Sequence, residues 1–515
     1  MYKRFFFLLL LVCLGLADLT QAQQGPAQSQ TGHKIACTDG LALGFSCGNV
    51  DLSAFLTLAD LNATFANDIW GWTDPDTRRE YALVGLRNAV AFVDVTDPIN
   101  PLHVGSLMTH AGASSVWRDM KVYKDHVFVV VDGSGSNGMQ VFDLTQLRTV
   151  TAPPVLFSET AHYDGVTQAH NVAINEETGF AYILGANDGG RTCGGGLHMV
   201  NIQDPLNPSF AGCFADPFTG RGTGYTHDAQ CVVYRGPDAE HQGKEICFGA
   251  NVTAVSIADV TDKANPVALS SAAYPAVGYA HQGWLTEDHR YFVLNDELDE
   301  LRFPDAIKAT RTLIWDVADL DDPVLHVQHF GEAPSIDHNL YIVGDYVFQA
   351  NYTSGLRILD LGDIDNPREV AFFDTVPGSD VRQFSGAWSV YPFFESGTII
   401  VSSTGEGLFI VEPTNLRLLT DTETAAVPAS FVLSAAYPNP FNPRTTLTVT
   451  LQQAHPVRVA AYDLLGREVA LLHDGMLSAG VHALTFEATG LPSGTYLVKA
   501  AGPSAVQTQI VTLAK

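Results

Sequence analysis

Seven apolar runs, each closing on an acid or an amide, recur along the chain at nearly even spacing, and no other feature restricts the fold as much. They read VAFVDVTDPINP, MQVFDLTQLR, LHMVNIQDPLNP, AVSIADVTDKANP, TLIWDVADLDDP, LRILDLGDIDNP and LFIVEPTNLR. Their closing residues are Asp94, Asp143, Asn201, Asp259, Asp316, Asp360 and Glu412, at successive intervals of 49, 58, 58, 57, 44 and 52 residues. A period of roughly fifty residues suits one propeller blade and not one turn of a helical solenoid. Each copy has the same inner order. A short strand follows a histidine or its equivalent, a second run such as GFAYILGAN or DYVFQAN comes next, then the marked run, then a fourth strand such as REVAFFDT. Asx-Pro pairs end the third strand, because proline lacks the ladder donor and biases the residue before it. Short β-rich runs between Gly, Asn, Asp and Pro turns predict four-stranded blades. The last copy supplies only GAWSVYPFF, GTIIVSS and GLFIVE, whereas VDLSAFLTL (Val50 to Leu58) precedes the first copy as an orphan strand. If that strand completes the last blade it removes an open edge. The expectation is an all-β chain with a seven-bladed β-propeller over residues 50–413.

The third-strand runs LRILDL, VAFVDV and LFIVE resemble the LVIVD repeat. Over residues 33–413 the chain resembles the choice-of-anchor B family of exported bacterial proteins. That resemblance implies a propeller and an exported location, and it implies little about activity.

Residues 414–430 read as a polar linker, and residues 431–515 as a separate unit. There the dense Pro/Asn turn YPNPFNP is followed by the alternating runs TTLTVTL and VRVAAYDLLGREV, and HALTFEATGLPSGTYLVKA ends the unit. This pattern predicts a small β-sandwich. YPNPFNP, VAAYDLLGREV and LPSGTYLVKA together resemble the type A C-terminal sorting domain of the type IX secretion system of Bacteroidetes-like bacteria. The resemblance implies the type IX machinery as a partner and passage across the outer membrane, after which the domain can be removed.

The N-terminus fits that route. Lys3 and Arg4 precede an apolar run from Phe5 to Leu16 and a small residue, Ala22, which reads as a signal peptide over residues 1–22 with an N-terminal segment over 23–49. Beyond it no stretch is apolar enough to span a membrane. Six cysteines remain after the signal, and an even count in an exported chain predicts disulfides. Their order suggests the local pairs Cys37–Cys47, Cys193–Cys213 and Cys231–Cys247, and the lack of any CxxC argues against zinc. With 56 Asp+Glu against 28 Lys+Arg the formal net charge is -28. Such a surface repels phosphate backbones, which excludes a general nucleic-acid binder.

Function is read from the start of each inner strand. The equivalent residues are Asn67, Arg118, His170, His227, His281, His338 and Ala387, followed by Asp68, Asp119, Asn171, Asp228, Gln282 and Asn339 in all but the last. Second strands end near the same face with Asp132, Asn187, Asn251, Asn295 and Asn351. One channel mouth therefore carries imidazoles and amides. This predicts a binding or interaction module that takes a glycan, peptide or protein at His170, His227, His281, His338, Asn187, Asn251, Asn295 and Asn351. The alternative is an extracellular metal-dependent oxidase or hydrolase in which His170, His227, His281 and His338 ligate a transition metal, each oriented by an Asp or Asn. A third use of the histidines is structural, each bonding a neighbouring blade's backbone. Asp296, Glu297, Asp299 and Glu300, in the run NDELDELRFPD, are either a solvated acidic loop or a calcium site. No residue is assigned a catalytic role.

Overall fold

The computed structural model describes residues 28–110, 112, 114–133, 135–186, 192–416, 431–434, 436–451, 454–463, 467–501 and 506–515. The expected signal peptide, most of the expected linker and Asn187 lie outside the described residues. The chain divides into two compact units, Met1–Thr420 and Asp421–Lys515.

The first unit is all-β and built of four-stranded sheets of the propeller-blade type. Among the described residues the inner strands are Ala66–Thr73, Arg118–Tyr123, Asn171–Asn175, Asp228–Val233, Ala280–Leu285, Asn339–Val343 and Ala387–Tyr391. Each opens a meander of antiparallel strands, for example Asn171–Asn175, Phe180–Leu184, Leu197–Asn201 and Ser209–Phe214. Each inner strand abuts the next, and Ala387–Tyr391 abuts Ala66–Thr73. In the last sheet the outer position is taken by Val50–Thr57, antiparallel to Gly407–Pro413.

In six of the seven repeats the marking Asp or Asn closes a turn. Its side-chain oxygen accepts the backbone N–H two residues on: Asp94 from Thr96, Asp143 from Thr145, Asn201 from Gln203, Asp259 from Thr261, Asp316 from Ala318 and Asp360 from Gly362, all at 2.8–3.0 Å. A short Asp or Asn side chain folds back this way and releases the strand from its ladder. The D-x-x-N step beyond it is closed by a second bond, Asn100 to Asp97, Asn207 to Asp204, Asn265 to Asp262 and Asn366 to Asp363, at 2.8–3.0 Å. Bulges recur where third and fourth strands pair, at Phe92/Val93, Met199/Val200, Ile257/Ala258, Ile314/Trp315 and Ile358/Leu359. A bulge there strengthens the strand twist that a blade needs.

Residues 28–49 form two short strands, Leu41–Ala42 and Phe45–Gly48, and the second extends the sheet of Asn339–Val343 by pairing with Arg368–Phe373. Phe45 is fully buried against Phe55, Phe373 and Phe409, with ring centroids 5.1–5.9 Å away. The three disulfides Cys37–Cys47, Cys193–Cys213 and Cys231–Cys247 form. Cys231 and Cys247 face each other directly across the Asp228–Val233/Glu245–Ala250 pair.

The second unit has two sheets, one of Phe431–Leu433, Arg444–Leu451 and Gly480–Glu487, the other of Glu468–Leu477, His455–Tyr462, Gly494–Ala501 and Val506–Leu513. Leu447, Val449 and Phe486 from the first share one apolar core with Val459, Ala461, Tyr496 and Val511 from the second.

Candidate functional site

All inner strands start at one end of the channel, and there the four histidines form an arc. Neighbouring ring centroids are 4.5 Å apart for His170–His227, 4.2 Å for His227–His281 and 4.3 Å for His281–His338. The Nδ1 of His227 lies 2.9 Å from the carbonyl of His281, that of His281 3.0 Å from the carbonyl of His338, and that of His338 2.5 Å from the carbonyl of Trp388. A carbonyl only accepts, so each Nδ1 carries the proton and each Nε2 keeps its lone pair. The chain of bonds also shows that Trp388, not Ala387, is the equivalent residue in the last sheet. The strand is bulged between Ala387 and Ser389, which shifts the register by one. His170 begins the arc differently, with Nδ1 3.0 Å from Asp132 Oδ2. Burial, with the neighbouring imidazoles, holds His227 and His281 well below the ordinary histidine value, and burial lowers His338 to about 3. These three rings are neutral at physiological pH.

The void framed by the four imidazoles, Trp117, Arg118 and Trp388 is only about 10 Å³. That void has room for one water or ion, and a separate cavity of about 460 Å³ lies beside it, lined by Asp132, Gly185 and Tyr225 among others. The four rings also do not converge on a point. Among the described residues the channel trio whose ligand atoms all lie within 4.8 Å of one another is His281, Glu297 and His338. His170 and His227 stand outside it. Glu297 Oε2 is 3.9 Å from His281 Nε2, and its Oε1 is 3.8 Å from His338 Nε2. The Tyr352 hydroxyl donates to Oε1 at 2.8 Å. Burial pushes the Glu297 carboxyl up to about 7.

The amides assigned to this mouth divide. Asn295 donates to the His338 carbonyl and accepts from the Gln282 N–H. Asn251 instead donates to Thr219 Oγ1 at 2.7 Å. Asn351 is buried in a turn, with its backbone carbonyl taken by Ser335. The acidic run is not solvated. Asp296, Asp299 and Glu300 are fully buried: Asp296 accepts from the Tyr274 hydroxyl, and Asp299 pairs with the buried Arg311 at 2.6 Å. Burial and the nearby Asp337 and Asp299 push Glu300 up to about 12, so it stays protonated. These carboxyls brace the short helix Asp299–Arg302 from within, and no calcium-like trio forms from them among the described residues. The sequence missed this because burial of a carboxyl depends on the partners that tertiary contact brings.

One residue further along, the inner strands exchange bonds between sheets. Asp119 accepts from the Val172 N–H and Gln282 from the Leu340 N–H, both at 2.7 Å, and Asn171 donates to the His227 carbonyl at 2.9 Å. The Lys121 ammonium lies 2.6 Å from Asp119 and 3.7 Å from Asp68. Burial and the neighbouring Asp119 raise Asp68 well above the carboxylate range. Burial opposes ionisation of Asp119 too, yet Lys121 holds that carboxyl below its ordinary value.

Towards the strand ends the channel widens to a cavity of about 580 Å³, and this space was not expected from the sequence. Its walls include Trp70, Trp72, Trp284, Tyr341, Tyr391 and Phe393, with Lys121, Asp228, Gln230 and Gln282 as polar points. The rings hold one another edge to face: Trp70–Tyr391 at 5.1 Å, Trp284–Tyr341 at 5.0 Å and Tyr391–Phe393 at 5.2 Å. Such packing fixes aromatic walls in place. A signal for it was present, since Trp70, Trp284, Tyr341 and Tyr391 each stand three residues after Asn67, His281, His338 and Trp388.

Residues 435–512 match the family described as the secretion system C-terminal sorting domain. That domain indicates secretion to the cell surface or beyond and handling by the type IX machinery. No helix among the described residues is long and apolar enough to cross a membrane. No curated protein matches the chain. Solved structures with similarity include PorZ, a surface component of the type-IX secretion system of Porphyromonas gingivalis, at 14% identity and a TM-score of 0.41. That match covers 85% of this chain, which spans 58% of PorZ. A protein from Lactobacillus plantarum is 12% identical over 82% of this chain and 100% of its own length, at a TM-score of 0.42. U3-55K is 10% identical over 67% and 95% of the respective chains, at 0.42.

Proposed function

We propose that this chain is a seven-bladed β-propeller of LVIVD-like repeats, joined to a C-terminal sorting β-sandwich, that works outside the cell as a binding module. Its ligand enters the aromatic cavity at the strand-end mouth and not the histidine mouth named from the sequence. The cavity carries the reading: about 580 Å³ lies within the range of ligand sites, and its wall is aromatic with a few polar points. Preorganised rings bury a ligand face at little entropic cost, and Gln230, Gln282, Asp228 and Lys121 offer donors and acceptors for orientation.

A four-histidine metal enzyme is not carried forward, because the four rings lie along an arc and His170 and His227 stand outside the channel trio whose ligand atoms converge. The test is a screen of the purified full chain against neutral oligosaccharides and short peptides by tryptophan fluorescence and calorimetry. A ligand is expected whose affinity falls tenfold or more in Trp284→Ala and is unchanged in His170→Ala. The reverse pattern, or no ligand from either class, sinks the proposal.

A further inference from the structure

We propose that His281, Glu297 and His338 form a binding site for one divalent transition-metal ion, with the fourth position open to the small void inside the imidazole arc. The site does not depend on the aromatic cavity and goes beyond the binding reading.

The geometry carries it. Both imidazoles are buried, and each donates Nδ1–H to a backbone carbonyl of the following sheet. This is the outer-shell arrangement that fixes tautomer and ring direction in metal-binding histidines, and it leaves Nε2 as a ligand. Both Nε2 atoms approach the same carboxylate, at 3.9 and 3.8 Å. Ligands about 2.0–2.1 Å from a tetrahedral metal stand about 3.3 Å apart, and one ligand atom from each of the three residues already lies within 4.8 Å of the other two. Glu297 is itself held by the Tyr352 hydroxyl, and the carbonyl taken by His281 also receives the Asn295 amide. Two imidazoles and one carboxylate suit zinc, cobalt or ferrous iron, and not calcium, which takes six or more oxygens. The ion-sized void lined by His281 and His338 offers space for a water as fourth ligand.

The ligands come from two sheets, His281 and Glu297 from one and His338 from the next, so bound metal ties them together. The experiment uses full-length protein stripped by chelator and titrated with Co²⁺ and Zn²⁺. Metal content, the visible absorption of tetrahedral cobalt and thermal midpoint are the readouts, and near-UV circular dichroism checks folding. About one equivalent is expected, with a midpoint that rises on loading. Glu297→Gln, which keeps an acceptor for Tyr352, should lower affinity tenfold or more, and His338→Ala should abolish the cobalt spectrum. His170→Ala should retain both. Because Glu240, His241 and Asp321 also lie within ligand range of one another, His241→Ala is measured in parallel. Wild-type loading below a tenth of an equivalent overturns the proposal. So does unchanged affinity in Glu297→Gln, or loss of the spectrum in His241→Ala alone.

Discussion

Asp228 stands on the wall of the aromatic cavity with its carboxyl pushed up to about 7, chiefly by burial, with Asp119 adding to the rise and Lys121 opposing it. An unfolded aspartate titrates near about 3.9, so the folded chain binds this proton more tightly than the unfolded chain does. The stability that Asp228 contributes is complete below the unfolded value and is lost as pH rises towards about 7. Urea midpoints should therefore fall between pH 5 and pH 8, and Asp228→Asn should flatten part of that fall. Superimposable profiles for wild type and variant would remove Asp228 from the account. At this scale the sequence was informative wherever the side chain acts locally: the Asp or Asn that closes six of the seven repeats bonds the backbone two residues on. It named Glu297 only as a member of an acidic run and did not place it beside the imidazoles, because these are 16 and 41 positions away along the chain.

Among the strands, Val50–Thr57 has the largest consequence, because it covers the edge of Gly407–Pro413 and buries Leu52, Ala54 and Phe55. A chain beginning at residue 59 should expose that edge and self-associate, with a lowered thermal midpoint and a larger species on size-exclusion chromatography. A monomer of unchanged midpoint would deny the strand its closing role. The Cys231–Cys247 bridge closes 16 residues, worth about 3 kcal/mol in the chain-entropy view, so Cys231→Ser/Cys247→Ser should lower stability by up to that amount in denaturant titrations. The repeating meander was legible because its turn residues and apolar runs recur. Two additions were not. Val155–Phe157 pairs in parallel with Leu102–Met108 and adds a fifth strand to the first sheet, and Phe45–Gly48 extends another. Both are short and lie outside the period, and their partners are fixed by contact rather than by local pattern.

For the whole molecule, the sorting domain sets where the chain goes. Deleting residues 435–515 should leave it in the periplasm of its host, detectable by fractionation, with ligand binding by the propeller retained. Surface display of the truncated chain would contradict that. The sequence by itself determined the β-rich repeat and the secretion signal of the C-terminal unit, because these are written in spacing, turn chemistry and contiguous motifs that need no partner to be read; cysteine order only suggested the pairs that the structure forms. Only the tertiary structure decided where the large aromatic cavity lies. Side chains three residues apart on an inner strand face different levels of the channel, so the imidazoles bond their neighbours' carbonyls at one level while the aromatic rings frame the cavity at the other.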